Sequence, residues 1–165
     1  MPGAAACYAA DFEWWAYHAA RVQARFAGRC YSGSPQARLP AFVTAIPGRD
    51  GSGLSPEPSQ IHWGSIPGRN STLQAMALAY AWGARHLVLI GADLGEPRPA
   101  DPEIRAPHFF GDHPPELSRK RSDYTAFRAE IEKLVTDLHR AGVTCINASP
   151  YSVIAGCEHR AIPAH

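Results

Sequence analysis

The run His108-Phe-Phe-Gly-Asp-His113 contains the side chains best suited to chemistry, two histidines with an aspartate beside the second. Histidine titrates near neutral pH, so either side chain could remove a proton from a hydroxyl nucleophile. The same spacing could hold a metal ion or form an ordinary surface loop. A metal ion is disfavoured because no third ligand follows at a short spacing, although Asp93 or Asp112 could join in space.

Polar residues also follow three predicted strands. Asp11 follows the first strand, Asp93 follows the strand from Leu87 to Ile90, and Asn147 with Ser149 follows the last. Because ligands bind at the carboxyl ends of parallel strands, we expect these side chains to face one crevice. Asp93, which comes after a Gly-Ala pair, could instead form a turn or cap a helix.

The segment Arg69-Asn70-Ser71-Thr72 directly precedes an apolar helical run. Asparagine, serine and threonine side chains cap helix N-termini, where free N–H groups and the helix dipole also attract phosphate. The pattern therefore predicts either a phosphate contact or simple capping of the helix. Neither a Walker A run nor the Gly-x-Gly-x-x-Gly or Gly-x-Ser-x-Gly motif occurs in the chain.

Composition and charge exclude several descriptions of the whole chain. Its 165 residues predict a single domain spanning 1–165, and its formal net charge is only +1. A basic nucleic-acid binder and an acidic solvating tail are both excluded. The four cysteines form no C-x-x-C or histidine-spaced pairs, so neither a zinc ribbon nor a disulfide scaffold is expected. Without a leader-like or membrane-spanning stretch, the expected location is the cytoplasm.

Strand-like and helix-like segments alternate along the chain, which predicts an α/β fold with a mainly parallel sheet. Glycine and proline, with 14 and 15 residues, predict long loops over 47–69 and 97–115. The run 86–91 is typical of a strand that is covered on both faces. The predicted helices are 12–28, about 73–82 and 124 to about 140, and the predicted strands are 5–10, 29–32, 41–46, 86–91 and 143–147.

Three segments are informative as a set: Gly68 to Asp93, the run from His108 to His113, and Asn147-Ala-Ser-Pro-Tyr-Ser152. Together they resemble a group of phage and prophage proteins that look related to the bacterial sialyltransferases of glycosyltransferase family 42 and to the motility accessory factor domain. The segment Tyr8-Ala-Ala-Asp-Phe-Glu-Trp-Trp15 is similar to that group's second or third strand and following helix. The resemblance covers most of the chain except 34–62.

This resemblance implies a Rossmann-like three-layer fold and a nucleotide-sugar donor, for which a CMP-linked sugar is one option. In the family a histidine takes the proton of the acceptor hydroxyl, and the matching residue is His113, offset by one inserted residue. The loop after the last strand, matched by Asn147, Ser149 and Ser152, helps hold the donor nucleotide. His108 and Asp93 are the further catalytic candidates, and neither a metal ion nor a cofactor is expected.

The chain departs from the family pattern at two places. Gly95 stands where the family has a tyrosine that assists the departing phosphate, and no tyrosine lies between Leu94 and Pro107. The family also begins with a strand and a Gly-rich nucleotide loop, and this sequence starts after both. The expected fold is therefore shortened at its N-terminus.

Three functions follow as hypotheses. The first is a metal-independent glycosyltransferase with His113 as general base and with Asp11 and the 69–72 segment among its binding residues. The second is a non-catalytic phage or prophage module for binding or assembly, and the third is a metal-dependent pyrophosphokinase acting on a pterin alcohol. The expected partners are a nucleotide sugar and a hydroxyl acceptor, without nucleic acid or a membrane span. The sequence leaves open whether the chain forms a homo-oligomer.

Overall fold

A computed structural model describes residues 4–46, 48–49, 66–67, 70–94, 115 and 123–161. These residues form an α/β protein with parallel strand pairing, as the alternating segments predict. The chain divides into two compact units, the first unit (Met1–Ala84) and the second unit (Arg85–His165). The single domain expected from the length stays a prediction. No helix within the described ranges combines the length and apolar character needed to cross a bilayer.

The first unit begins with strand β1 (Ala6–Ala9), helix α1 (Phe12–Arg25) and strands β2 (Arg29–Ser32) and β3 (Val43–Ala45). The strands form a parallel sheet in the order β1-β2-β3. Parallel neighbours cannot be joined by a tight turn, and α1 supplies the longer connection from β1 to β2. This order brings the carboxyl ends of all three strands to one edge.

A tryptophan anchors the core of this sheet. Trp15 on α1 is completely buried, and its Nε1 donates a hydrogen bond to the carbonyl oxygen of Ala9 over 3.1 Å. Its ring meets Phe42 edge to face, with the ring centroids 6.1 Å apart. Cys30 and Val43 belong to the same buried cluster. The indole N–H is therefore satisfied inside the core, which removes the main cost of burying tryptophan.

Two short strands, β4 (Gly48–Arg49) and β5 (Ile66–Pro67), pair in parallel. The prediction of an uninterrupted loop over 47–69 is wrong at these residues, because a two-residue strand is too short for a periodic pattern. Helix α2 (Ser71–Ala81) follows and is buried on most sides, as its apolar sequence predicts. It ends at Ala81, and Gly83, two residues further on, has a φ of +95° in the left-handed region that favours glycine.

The second unit contains strand β6 (His86–Leu89), helix α3 (Tyr124–Arg140) and strands β7 (Thr144–Asn147) and β8 (Glu158–His159). The strands form a second parallel sheet in the order β6-β7-β8. One face of α3 is fully buried, as its spacing predicts, through Ile131, Leu134, Val135 and Leu138. The predicted bounds of the main helices and strands agree with the structure to within three residues.

Two predictions for the second unit are wrong. The strand at 86–91 is not covered on both faces, because Leu87 and Leu89 are buried whereas Val88 and Ile90 are 56% and 71% exposed. Successive side chains of a strand point to opposite faces, so β6 has one covered face only. The sequence also missed β8, whose two residues pair with the last two of β7.

Candidate functional site

The start of α2 lies beside the carboxyl end of β1. Ala10, the first residue after β1, donates its backbone N–H to Ser71 Oγ over 3.2 Å. The Tyr8 hydroxyl donates a 2.7 Å hydrogen bond to Gln74 Oε1. These bonds join residues 61 and 66 positions apart, so they hold the first turn of α2 against the end of the strand.

Two serines at the carboxyl end of β2 complete the same edge: Ser32 is its last residue, and Ser34 follows it. The Ser32 and Ser34 hydroxyls both donate hydrogen bonds to the carbonyl oxygen of Ala10, over 3.3 and 3.0 Å. The Ser34 backbone N–H in turn donates to Ser32 Oγ over 3.2 Å. The backbone after β1 is thus held from both sides. We call this group the first-unit edge; it consists of Ala10, Ser32, Ser34, Asn70 and Ser71.

Asn70 is the most unusual residue of the first-unit edge. Its Oδ1 accepts a 2.9 Å hydrogen bond from the backbone N–H of Leu73, so the side chain caps α2 as predicted. Its Nδ2 is buried and has no hydrogen-bond partner among the described residues. The whole residue is only 9% exposed. An unsatisfied buried donor costs about 1–3 kcal/mol, so this amide is suited to a group that accepts hydrogen bonds.

The electrostatics at the N-terminus of α2 also favour a ligand that accepts hydrogen bonds. The first turn of α2 contains no acidic residue, and its cap is a neutral amide. By contrast, α3 is capped by Asp123, whose Oδ1 accepts from the Ala126 N–H over 2.9 Å. A helix N-terminus carries about half a positive charge, which an aspartate partly neutralises. The α2 terminus lacks such compensation, and this arrangement suits an anion such as phosphate.

Asp11 and Thr72 are the other predicted binding residues of the first unit. Asp11 is exposed and precedes α1, where its carbonyl oxygen accepts the Trp15 N–H over 3.4 Å. Thr72 is partly buried in the first turn of α2. Burial, and to a lesser degree the charge of Asp11, raise the pKa of Tyr8. The tyrosine therefore stays protonated and keeps donating to Gln74.

In the second unit the predicted nucleotide-binding residues form hydrogen bonds with one another. Asn147 Oδ1 accepts the Ser149 N–H over 3.0 Å, and Asn147 Nδ2 donates to Ser152 Oγ over 2.6 Å. Ser152 Oγ donates to the Ala92 carbonyl over 2.8 Å, and Ser149 Oγ accepts the Ala92 N–H over 3.0 Å. We call this network the β7 latch; it consists of Ala92, Asn147, Ser149 and Ser152.

The β7 latch fixes the geometry of two loops. Asn147 and Ser149 are only 1% and 2% exposed, and their polar groups bond within the protein. Buried polar groups with complete hydrogen bonds make a loop rigid. The direct role of these side chains is therefore to join the loop after β6 to the loop after β7.

Asp93 lies at the end of the loop that the latch holds. Its side chain is exposed, and its carbonyl oxygen accepts the Val153 N–H over 3.0 Å. Leu94 follows with a φ of +49°, a left-handed conformation that costs a residue other than glycine about 1–2 kcal/mol. Residues 92–94 lie in irregular backbone, and the choice between a turn-forming role and a ligand role for Asp93 stays a prediction.

The predicted site residues fall into three groups. His108, His113 and Arg69 lie outside the described residues. The first unit holds Asp11, Asn70, Ser71 and Thr72, whereas the second unit holds Asp93, Asn147, Ser149 and Ser152. The expectation that both units contribute to one crevice stays a prediction.

Sequence reasoning missed several residues that shape the first-unit edge. Ser32 ends a predicted strand and Ser34 lies two residues after it, so the rule that selected Asp11 and Asn147 could have found them. Tyr8 and Gln74 carried no such signal, because their contact spans 66 positions. Among the described residues, no group of three or more histidine, cysteine, aspartate or glutamate side chains could hold a metal ion.

The described residues define an α/β protein with parallel sheets and polar loops at the carboxyl ends of its strands. Comparisons of the chain with protein-family models, curated proteins and solved structures found no match. The function is therefore inferred from the two units' own chemistry and from the sequence resemblance.

Proposed function

We propose that this protein transfers a sugar from a nucleotide-sugar donor to a hydroxyl acceptor, with the first-unit edge binding the donor phosphate. In this proposal His113 removes the proton from the acceptor hydroxyl, as the sequence resemblance implies. The polypeptide has a Rossmann-like three-layer arrangement and acts in the cytoplasm without a metal ion. The observation that supports the proposal is the buried Nδ2 of Asn70, which has no hydrogen-bond partner in the part of the chain that the structure describes.

The chemistry of Asn70 favours phosphate over a neutral ligand. Phosphate oxygens accept several hydrogen bonds, and a bond to a charged acceptor is about twice as strong as one between neutral groups. Nδ2 supplies one donor, and the first backbone N–H groups of a helix lack partners within the helix. A phosphate here would satisfy the buried amide and compensate the positive end of the α2 dipole.

Calorimetric titration with CMP, UMP and inorganic phosphate tests this site. The variant Asn70→Asp keeps an oxygen to cap α2 but replaces the Nδ2 donor with a negative charge. We expect nucleotide affinity to fall at least about tenfold while helix content by circular dichroism stays unchanged. Asp123→Asn, at the cap of α3, is the matched control and should leave the affinity unaltered. Equal affinities of Asn70→Asp and the parent protein would rule out the phosphate site.

The catalytic step has its own test. His113→Ala should abolish release of the nucleotide from a CMP-linked sugar in the presence of a hydroxyl acceptor, because no group would accept the proton. Nucleotide binding should persist in this variant, which separates loss of the base from loss of the phosphate site. Unchanged turnover would remove His113 from the mechanism.

The β7 latch favours a second candidate, a binding or assembly module without catalysis. Asn147 and Ser152 bond to each other instead of presenting free polar groups. A structural role for Asn147 and Ser152 is compatible with a protein that keeps the fold but binds no nucleotide-sugar donor. Failure of CMP, UMP and phosphate to bind at millimolar concentrations would favour this candidate over the transferase.

A further inference from the structure

Strand β3 stands at the end of the first sheet. Among the described strands it pairs with β2 alone. The connection from β2 to β3 contains only a single turn of 3-10 helix, Gln36–Arg38. An open strand edge presents N–H and C=O groups that can pair with a strand of another chain. The backbone groups on the far side of β3 therefore require partners, and the connection supplies them.

Val43 and Ala45 are the residues of β3 whose backbone groups point away from β2. The Ile46 N–H donates to the Ser32 carbonyl oxygen over 2.6 Å, so the backbone N–H of Ile46 faces β2. Successive residues of a strand direct their backbone groups to opposite sides, so Ala45 faces away from β2, and Val43 does as well. We call Val43 and Ala45 the outer edge of β3.

The side chain of Gln36 binds this outer edge at both residues. Its Nε2 donates to the Val43 carbonyl oxygen over 3.0 Å, and its Oε1 accepts the Ala45 N–H over 2.8 Å. The Val43 N–H donates to the Pro40 carbonyl oxygen over 2.9 Å. A carboxamide offers N–H donors and a carbonyl acceptor, as a peptide group does. Gln36 therefore takes the place that a peptide group of an added strand would take.

The connection holds Gln36 in position through contacts of its own. The Arg38 N–H donates to the Pro35 carbonyl oxygen and the Leu39 N–H to that of Gln36, both over 3.0 Å. The Arg38 guanidinium lies 5.8 Å from the centroid of the Phe12 ring, and Leu39 packs against the buried cluster of the first unit. The backbone of Gln36 is thus already ordered. Binding of its side chain to the edge then costs little further conformational entropy.

We propose that Gln36 guards the sheet edge: its side chain occupies the outer edge of β3 and prevents a second copy of this chain from adding a strand there. A second copy is the partner because each copy presents the same backbone groups, and two such edges can pair about a twofold axis. The outer edge of β3 is thus an interaction surface that the fold keeps closed. Since β3 has only three residues, the association that follows its opening is weak and depends on concentration.

Sedimentation equilibrium of the full-length chain tests this guard. Over roughly 10–300 µM, the weight-average mass of Gln36→Ala should rise above that of the parent protein, by a factor that approaches about two. Gln23→Ala removes an exposed glutamine from α1 and is the matched control, which should sediment like the parent. Equal masses of Gln36→Ala and the parent protein at every concentration would overturn the proposal.

A second substitution tests whether the association uses the outer edge of β3. Ala45→Pro, added to Gln36→Ala, removes the N–H that faces away from β2, whereas the Ile46 N–H that bonds to β2 stays. Proline is tolerated in an edge strand where its missing N–H faces outward. The double variant should therefore return to the mass of the parent protein. Association that persists in the double variant would contradict the proposal.

Amide hydrogen exchange tests the contact in the parent protein itself. The Ala45 amide should exchange at least about tenfold more slowly than in an unstructured peptide, and so should the Ile46 amide. In Gln36→Ala, the Ala45 amide should lose this protection while the Ile46 amide keeps it. If Gln36→Ala does not fold, the parent protein still decides the question. An Ala45 amide that exchanges there as fast as in an unstructured peptide would show that Gln36 does not close the edge.

Discussion

Asn70 in the first unit and Asn147 in the second are both buried asparagines near the carboxyl edge of a parallel sheet. The Nδ2 of Asn147 donates to Ser152 and completes a network, whereas the Nδ2 of Asn70 has no partner among the described residues. An asparagine amide in a complete network stabilises a loop, while an unsatisfied one costs stability. The comparison teaches that the β7 latch satisfies its buried amide within the protein, whereas the first-unit edge leaves the Nδ2 of Asn70 without a partner among the described residues.

The cysteine pairs show similar topology with different surroundings. Cys7 and Cys30 are register partners on β1 and β2. Cys145 and Cys157 stand one step before the first paired residues of β7 and β8, and Cys157 follows Gly156, whose φ is +87°. Similar topology therefore does not predict similar local geometry.

The largest expected effect is on the β7 latch. Asn147→Ser shortens the side chain, which loses the bond to Ser152 and leaves buried polar groups unsatisfied. We expect the free energy of unfolding to fall by about 2–3 kcal/mol. Urea denaturation measures the change. A loss below about 0.5 kcal/mol would mean that the network is not the source of the loop's stability.

A smaller effect is expected at Tyr8 in the first unit. Tyr8→Phe removes the donor to Gln74, which should cost about 1 kcal/mol at pH 7. Because the folded protein raises the pKa of Tyr8, this contribution is complete below about pH 10, the unfolded value. It should diminish as the pH rises above 10 toward the folded pKa, so the variant and parent should converge. Urea titrations at neutral and alkaline pH check the slope, and a difference that grows with pH would contradict it.

An effect of similar size to that at Tyr8 has the opposite sign. Asn70→Ser keeps an oxygen to cap α2 and removes the unsatisfied Nδ2. Serine caps helices about as well as asparagine, so we expect a gain of about 1 kcal/mol in unfolding free energy. The same substitution thus stabilises at position 70 and destabilises at position 147. If urea denaturation shows that Asn70→Ser and Asn147→Ser change the free energy of unfolding in the same direction, the contrast between the two units is wrong.

Much of the fold could be predicted because its signals are local. The caps at Asn70 and Asp123 act on N–H groups three residues away, and Gly83 and Gly142 end their helices through their own backbone conformation. Within the candidate site, the expectation that ligands bind at the carboxyl ends of parallel strands selected Asn147, Ser149 and Asp11 from their positions alone. The residues Arg69, His108 and His113 stay predictions outside the described ranges.

Other features could not be predicted because they depend on contacts far apart in the chain. Helical spacing does not indicate that Tyr8 meets Gln74, and the composition of β6 does not indicate that Val88 is exposed. β8 has only two residues, too few to show the alternation of apolar and polar residues that indicates a strand. Only its pairing with β7 therefore defines it. The internal bonding of Asn147 and Ser152 likewise requires the loop to be folded.

The sequence by itself determined the alternation of helices and strands, the helix ends and the polar residues that follow the strands. These properties depend on side-chain periodicity and on backbone preferences that act over a few residues. Only the tertiary structure decided which buried amide stays without a partner among the described residues. That outcome depends on the positions of distant segments, because hydrogen bonds act over a few ångströms in space, whatever the separation along the chain.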